Sequence, residues 1–229
     1  MIDVLERLRG GLIVSVQAEA DSLLNTPETI ALLARCAVQN GAVGVRIEGD
    51  ARIRAVRAAL PEVPIVGLIK RAHPGFEPYI TSTFEELAAV AAAGAQVAAF
   101  DATDRARSGG ATVAGLIADA RGLGMLAMAD CSEELDAEPA SGADILATTL
   151  AGYTEPTRGR TLPALDLVAV FAARHPFTIC EGGIASPSEV RAAFGAGASA
   201  VVVGTAITNV DVLVRRFADA APRRLELGA

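Results

Sequence analysis

Lys70 closes the apolar run "PIVGLIK" and Glu181 closes "FTICE", so an amine and a carboxylate each stand where a stretch of β-branched and aliphatic residues ends. Without a metal, such a pair supports two kinds of chemistry on a carbonyl compound. The two groups can move a proton at the carbon beside the carbonyl, reaching it from different directions. Alternatively, the amine can form a Schiff base that leads to an aldol reaction or a decarboxylation. Either route needs a neutral amine for part of the cycle. Desolvation by Ile65, Leu68 and Ile69 should lower the Lys70 pKa, and a nearby Glu181 should oppose that shift. Residue types leave both routes open.

Other apolar runs end in the same way, on Gln17, on Arg46 and Glu48, on Asp101, on Asp130, and on Thr148 and Thr149. Two endings differ in kind. "EGGIASPSEV" sets Gly182 and Gly183 just before a helix start, and "VVVGTAITNV" sets Gly204 and Thr205 before the next helical turn. Free backbone N–H groups and a helix dipole at such places favour a dianion, so a phosphorylated substrate is expected. His73 lies in the loop after Lys70, within possible reach of the site, whereas His175 precedes Pro176 and reads as a helix C-cap. Neither histidine belongs to an HxH, HExxH or paired-carboxylate pattern, so no metal is implied, and no cofactor signature is present.

The elements that must carry these groups repeat along the chain. Runs such as "GLIVSVQ", "AVGVRIEG", "VAAFDAT", "GMLAMADC", "ADILATT" and "SAVVVGT" alternate with helical patterns such as "TPETIALLARCAVQNG", "TFEELAAVAAAGA" and "TVAGLIADARGLG". Strands alternating with helices imply parallel βαβ units. About eight units suggest an α/β fold closed as a (β/α)8 barrel, whose strand C-termini form the catalytic face. Thr26-Pro27 and Ser186-Pro187 mark helix starts, and Gly41, Gly94 and Gly124 mark helix stops. An open doubly wound sheet would show a Gly-rich turn after its first strand, where this chain has "SVQAEADS". No Pro/Ser-rich linker divides the chain, so residues 1–229 read as a single catalytic domain.

Composition excludes several partners. The net charge of −7 and the lack of a basic stripe argue against nucleic acid. No apolar run reaches the ~20 residues of a membrane span, and "MIDVLERLRG" lacks a signal peptide's apolar middle. A cytoplasmic location is therefore expected. Cys36, Cys131 and Cys180 form no CxxC and read as reduced, mostly buried thiols. Ala-rich helix faces make a homodimer possible.

"LIVSVQA", "GVRIEG", "PIVGLIKR", "YITST", "DAT", "MADCS", "TTLAGYT", "EGGIASP" and "VVVGTAIT" occur in this order from about Leu12 to Phe217. That motif set resembles the N-acylglucosamine-6-phosphate 2-epimerases, the N-acetylmannosamine-6-phosphate epimerases of sialic acid catabolism. The resemblance implies a TIM barrel of the ribulose-phosphate-binding type and a cofactor-independent isomerase. Its substrates would be N-acetylmannosamine 6-phosphate and N-acetylglucosamine 6-phosphate, interconverted by proton removal and return at C2. Lys70 would be the acid/base and Glu181 its partner. Gln17, Arg46 and Asp130 would bind the sugar, and Gly182, Gly183, Gly204 and Thr205 the phosphate. The chain departs from the family pattern where Asn209 replaces a phosphate-binding arginine, where Gly183 replaces a longer or basic residue, and where "YITST" replaces "YITPT". A Schiff-base lyase, another sugar-phosphate isomerase, or a catalytically silent sugar-phosphate binder are the alternatives.

Overall fold

The computed structural model describes residues 2–221. Helix α1 (Ile2–Leu8) leads into β1 (Leu12–Val16), α2 (Pro27–Gln39), β2 (Gly44–Glu48), α3 (Asp50–Ala59), β3 (Ile65–Leu68), α4 (Phe84–Ala92) and β4 (Val97–Asp101). There follow α5 (Val113–Gly122), β5 (Leu126–Asp130), β6 (Ile145–Ala147), α6 (Leu165–Ala172), β7 (Thr178–Glu181), α7 (Pro187–Gly195), β8 (Ala200–Val203), α8 (Thr205–Thr208) and α9 (Val210–Ala220). All neighbouring strands pair in parallel, and β8 returns to β1 through Leu12↔Val201, Ile13↔Val202 and Val14↔Val203. The sheet is therefore a closed (β/α)8 barrel, and the doubly wound alternative is excluded.

The sequence runs look continuously apolar because parallel strands are buried on both faces. One face packs inside the barrel, where Ile13, Val66, Val97, Met128, Ile145 and Ile179 share one cluster. The other face, with Val14, Val45, Ile47 and Ile65, packs against helix residues such as Ile30, Ile53 and Leu87. Because strand side chains alternate with a period of two, the inward set continues past the core to the rim. Ile13 leads to Ser15 and Gln17, Val66 and Leu68 to Lys70, Leu126 and Met128 to Asp130, and Ile179 to Glu181. The hydrophobic register that builds the core thus also aims the polar groups. Leu8 of α1, fully buried, joins the barrel cluster beside Phe177 and Val43 at the opposite end.

Local signals act where expected. Thr26 and Ser186 accept from the amides of Thr29 and Glu189, capping α2 and α7 with proline at the first helical positions. Helices α2, α4 and α5 end just before Gly41, Gly94 and Gly124. Between β5 and β6 the connection is only a 3-10 turn, Glu134–Ala137, closed by a capping box between Glu133 and Asp136. Cys131 and Cys180 are buried, whereas Cys36 is exposed on α2. His175 is not a helix cap: its ring nitrogens lie 3.0 Å from the carbonyl oxygens of Phe177 and Ala143, clasping two loops below α6. No described helix is long and apolar enough to cross a membrane.

Candidate active site

The C-terminal ends of the strands surround a cavity of about 730 Å³. That size suits a small ligand. Its floor is built around Arg46, which is 1% exposed. The guanidinium reaches Asp130 with Nη1 and Nη2, at 3.2 and 2.6 Å, and lies 3.2 Å from Glu181 Oε2. Burial opposes the Arg46 charge, but Asp130 and then Glu181 more than offset it, so the group stays cationic. Asp130 also accepts from Thr149 Oγ1 at 2.7 Å, and the same hydroxyl lies 3.1 Å from Glu181 Oε2. One hydroxyl proton can serve only one of two carboxylates. When Glu181 is protonated, its own proton can satisfy Thr149 while Thr149 donates to Asp130.

Burial pushes the Glu181 carboxyl up to about 7; Arg46 holds it down, Asp130 adds to the rise, and Thr149 and Lys70 lower it. A carboxyl poised near neutrality can both give and take a proton at physiological pH. Lys70 stands across the cavity on a different wall. Strand β3 stops at Leu68, and Lys70 pairs with Ile80 of the returning loop in an isolated antiparallel bridge. Its Nζ donates to Gln17 Oε1 at 2.6 Å, and Gln17 Nε2 donates to Ser15 Oγ at 2.7 Å. Desolvation lowers the Lys70 pKa, and the Arg46 charge lowers it further, while Glu48, Glu181 and Asp130 oppose the shift. The Arg46 contribution is invisible in sequence because it depends on a cation from another strand.

The chain as a whole is similar to known proteins. A family model described as "Putative N-acetylmannosamine-6-phosphate epimerase" matches residues 30–223. A protein of Synechococcus elongatus bearing the corresponding 2-epimerase name is 48% identical, with 96% of this chain and 97% of that one covered. The chain belongs to the N-acetylmannosamine-6-phosphate epimerase family. The solved N-acetylmannosamine-6-phosphate 2-epimerase of Clostridium perfringens has a TM-score of 0.89 at 34% identity, covering 95% of this chain and 96% of that one. A 3-hexulose-6-phosphate synthase, 18% identical with a TM-score of 0.62 over 86% of this chain and 91% of that one, shares the barrel alone.

Within the family frame, the structure brings Gln17, Arg46, Lys70, Glu181, Gly182, Gly183, Gly204 and Thr205 to the cavity wall. Asp130 is placed differently: its carboxylate is fully buried, bonded to Arg46 and Thr149, and is not among the residues that line the cavity, so its contact with the cavity runs through Arg46 and Thr149. His73 is also corrected: it turns from the cavity to lie 3.0 Å from Glu86 Oε1, whose other oxygen accepts from the Ser82 amide. Sequence reasoning gave no role to Thr149, Ser15, Tyr79 or Tyr153, all of which line the cavity or its mouth. Thr149 is named in the sequence as a run end but without a role; it is the inward residue two positions after Ala147. The tyrosines sit on loops and carry no periodic signal.

The phosphate-side loops differ from expectation in one respect. The approach to α7 is partly taken up, because Glu189 Oε2 accepts from the amides of Ala185 and of the N-cap Ser186 at 2.7 and 2.9 Å. Amides left without an acceptor among the described residues include those of the preceding loop, Gly183 and Ile184, and of Thr205 and Ala206 after β8. Gly183 holds φ at +74°, and a Cβ there would lie 2.3 Å from Leu162 Cβ. This explains glycine in place of a longer residue. Gly183→Ala is expected to cost about 1–3 kcal/mol through its strained backbone and to raise KM by displacing the loop, read by thermal denaturation and steady-state kinetics. Asn209 has a structural use of its own, its Oδ1 accepting from the Val212 amide at 3.1 Å as the cap of α9.

Proposed function

We propose that this protein interconverts N-acetylmannosamine 6-phosphate and N-acetylglucosamine 6-phosphate, with Lys70 and Glu181 as the proton-transferring pair. The observation that carries the reading is a lysine whose pKa is lowered and a carboxyl raised to about 7, facing one cavity on different walls. Ring opening exposes the C1 aldehyde and acidifies the C2 proton. One group removes it, an enolate forms, and the other group returns a proton to the opposite face. The Arg46 guanidinium, fixed by Asp130, offers positive charge where the oxyanion develops, without reorganisation during the reaction. Gln17 holds Lys70 in place and can hand it to the substrate. The Gly182-Gly183 and Gly204-Thr205 loops take the phosphate.

The direct test is a proton NMR time course with N-acetylmannosamine 6-phosphate in D₂O, without added metal or nicotinamide. The expected product is N-acetylglucosamine 6-phosphate carrying deuterium at C2. Absence of both product and C2 exchange rejects the reading. A lowered Lys70 pKa also favours a nucleophilic amine, so borohydride trapping in the presence of substrate tests Schiff-base chemistry. No covalent adduct is expected.

The pH dependence follows from the pair. Epimerisation needs one base and one acid, so the active enzyme carries a single proton on Lys70 and Glu181 together. Below about 7 the pair gains its second proton, on Glu181, and above the lowered lysine pKa both groups are bare. A plot of kcat/KM against pH should be bell-shaped, with its acid limb near 7 and its alkaline limb below the ordinary lysine value of 10.5. The substrate's own phosphate titrates near 6 by the usual second pKa of about that value. Thr149→Val separates the two contributions, because losing the Thr149 hydrogen bond raises the Glu181 pKa and moves only the enzyme's limb to higher pH.

A further inference from the structure

Four cationic side chains line the cavity: Arg46, Arg52, Lys70 and Arg216. Three of them are already engaged. Arg46 is clamped between Asp130 and Glu181. Arg52 pairs with Glu48, donates to the Glu48 carbonyl at 2.7 Å, and reaches Asn25 Oδ1 at 3.0 Å. Lys70 is given to Gln17 and has a lowered pKa. Arg216, on α9, has no carboxylate or carbonyl partner among the described residues, whereas its neighbour Arg215 is paired with Glu19. Among the described residues it is the cavity-lining cation that no carboxylate compensates.

Arg216 shares its cavity with the loops expected to take a phosphate. The same cavity is bordered by Gly183, Ile184, Thr205 and Ala206, whose amides lack acceptors among the described residues, and by Asn209. A dianion docking there meets open N–H groups, but the nearby amides of Ala185 and Ser186, just before α7, are already taken by the Glu189 carboxylate. Amides alone leave that negative charge uncompensated. Asn209 brings no charge and is spent as a cap. Helix α9 buries none of its residues, so Arg216 can be substituted without disturbing the core.

We infer that Arg216, delivered by α9, is the cation that binds the substrate's phosphate in this chain. The inference rests on the epimerase reading for its substrate, but not for its test. A planar guanidinium suits a phosphate through paired charge-assisted hydrogen bonds.

The experiment compares wild type, Arg216→Ala and Arg216→Lys. Arg216→Ala should raise KM for N-acetylmannosamine 6-phosphate by ~10- to 100-fold, the range of one lost charge-assisted contact, with kcat within about twofold. Inorganic phosphate, titrated calorimetrically, should weaken by a similar factor. Arg216→Lys should recover part of both losses, and the thermal midpoint should not move, since the side chain is exposed. If wild type turns over and Arg216→Ala keeps the same KM and phosphate affinity, the inference is overturned and the epimerase reading stands. If wild type does not epimerise, that reading fails; the inference then survives if phosphate binding is lost with Arg216 and falls if it is unchanged.

Discussion

Lys70→Ala should abolish epimerisation, by roughly 10³-fold or more, and leave the barrel folded. The side chain stands exposed in the cavity, and its one hydrogen bond is to Gln17, so little packing is lost with it. Circular dichroism and the thermal midpoint should match those of wild type. Glu181→Gln should lose turnover on a similar scale. The pair can then be dissected by exchange in D₂O. A two-base site with one base removed should still exchange C2 hydrogen from the epimer whose proton faces the surviving group, without forming the other epimer. Each variant identifies the epimer served by the group that remains. A Lys70→Ala protein that melts early would instead make the residue structural, and full activity in either variant would remove the proposed pair.

Arg46→Met should be harmful in a different way. Its methylene volume is largely replaced, but Asp130 is left buried without its cation. Removing one member of such a pair costs about 3–5 kcal/mol, which corresponds to a fall in Tm of roughly 6–20 °C for a chain of this size. Replacing both partners, as Arg46→Met with Asp130→Leu, should recover most of that stability with no recovery of activity. Any residual turnover in the single variant should show its acid limb at higher pH, since Arg46 holds the Glu181 pKa down, and its alkaline limb at higher pH, since Arg46 also lowers Lys70. A single variant as stable as wild type would show that Asp130 finds another partner or gives up its charge.

Much of the barrel is legible because one physical constraint writes both core and site. Strands buried on two faces read as unbroken apolar runs, and the first inward polar residue past each run lies on the rim. That is how Lys70, Glu181 and Gln17 stand out. What stays hidden depends on pairing across the barrel. Arg46 and Asp130 both end apolar runs, but nothing local says that they bind each other at a separation of 84 positions, or that the carboxylate ends up beneath the floor. The start of α7 reads as a free helix N-terminus because its serine and proline are obvious, while Glu189 folds back to occupy the amides. His73 sits near Lys70 in sequence, but the loop hairpin turns it toward Glu86. Arg216 is unremarkable as one of several charges on an amphipathic helix until the fold places it at the cavity.

The joining of β8 to β1 has a consequence for how the protein reaches its working state. Closure brings Thr208 Oγ1 to the Ser15 carbonyl at 2.7 Å across 193 positions, beside Gln17 on one side and Gly204 and Thr205 on the other. Contacts so distant along the chain are late and slow to form, because the loop-closure entropy falls due before they are made. The seam between first and last strands runs through the substrate cavity itself. A folding intermediate with most strands in place would therefore hold Lys70, Arg46 and Glu181 on a sheet whose edges had not met. Catalytic competence would arrive with the final zipping of the barrel and could precede none of it.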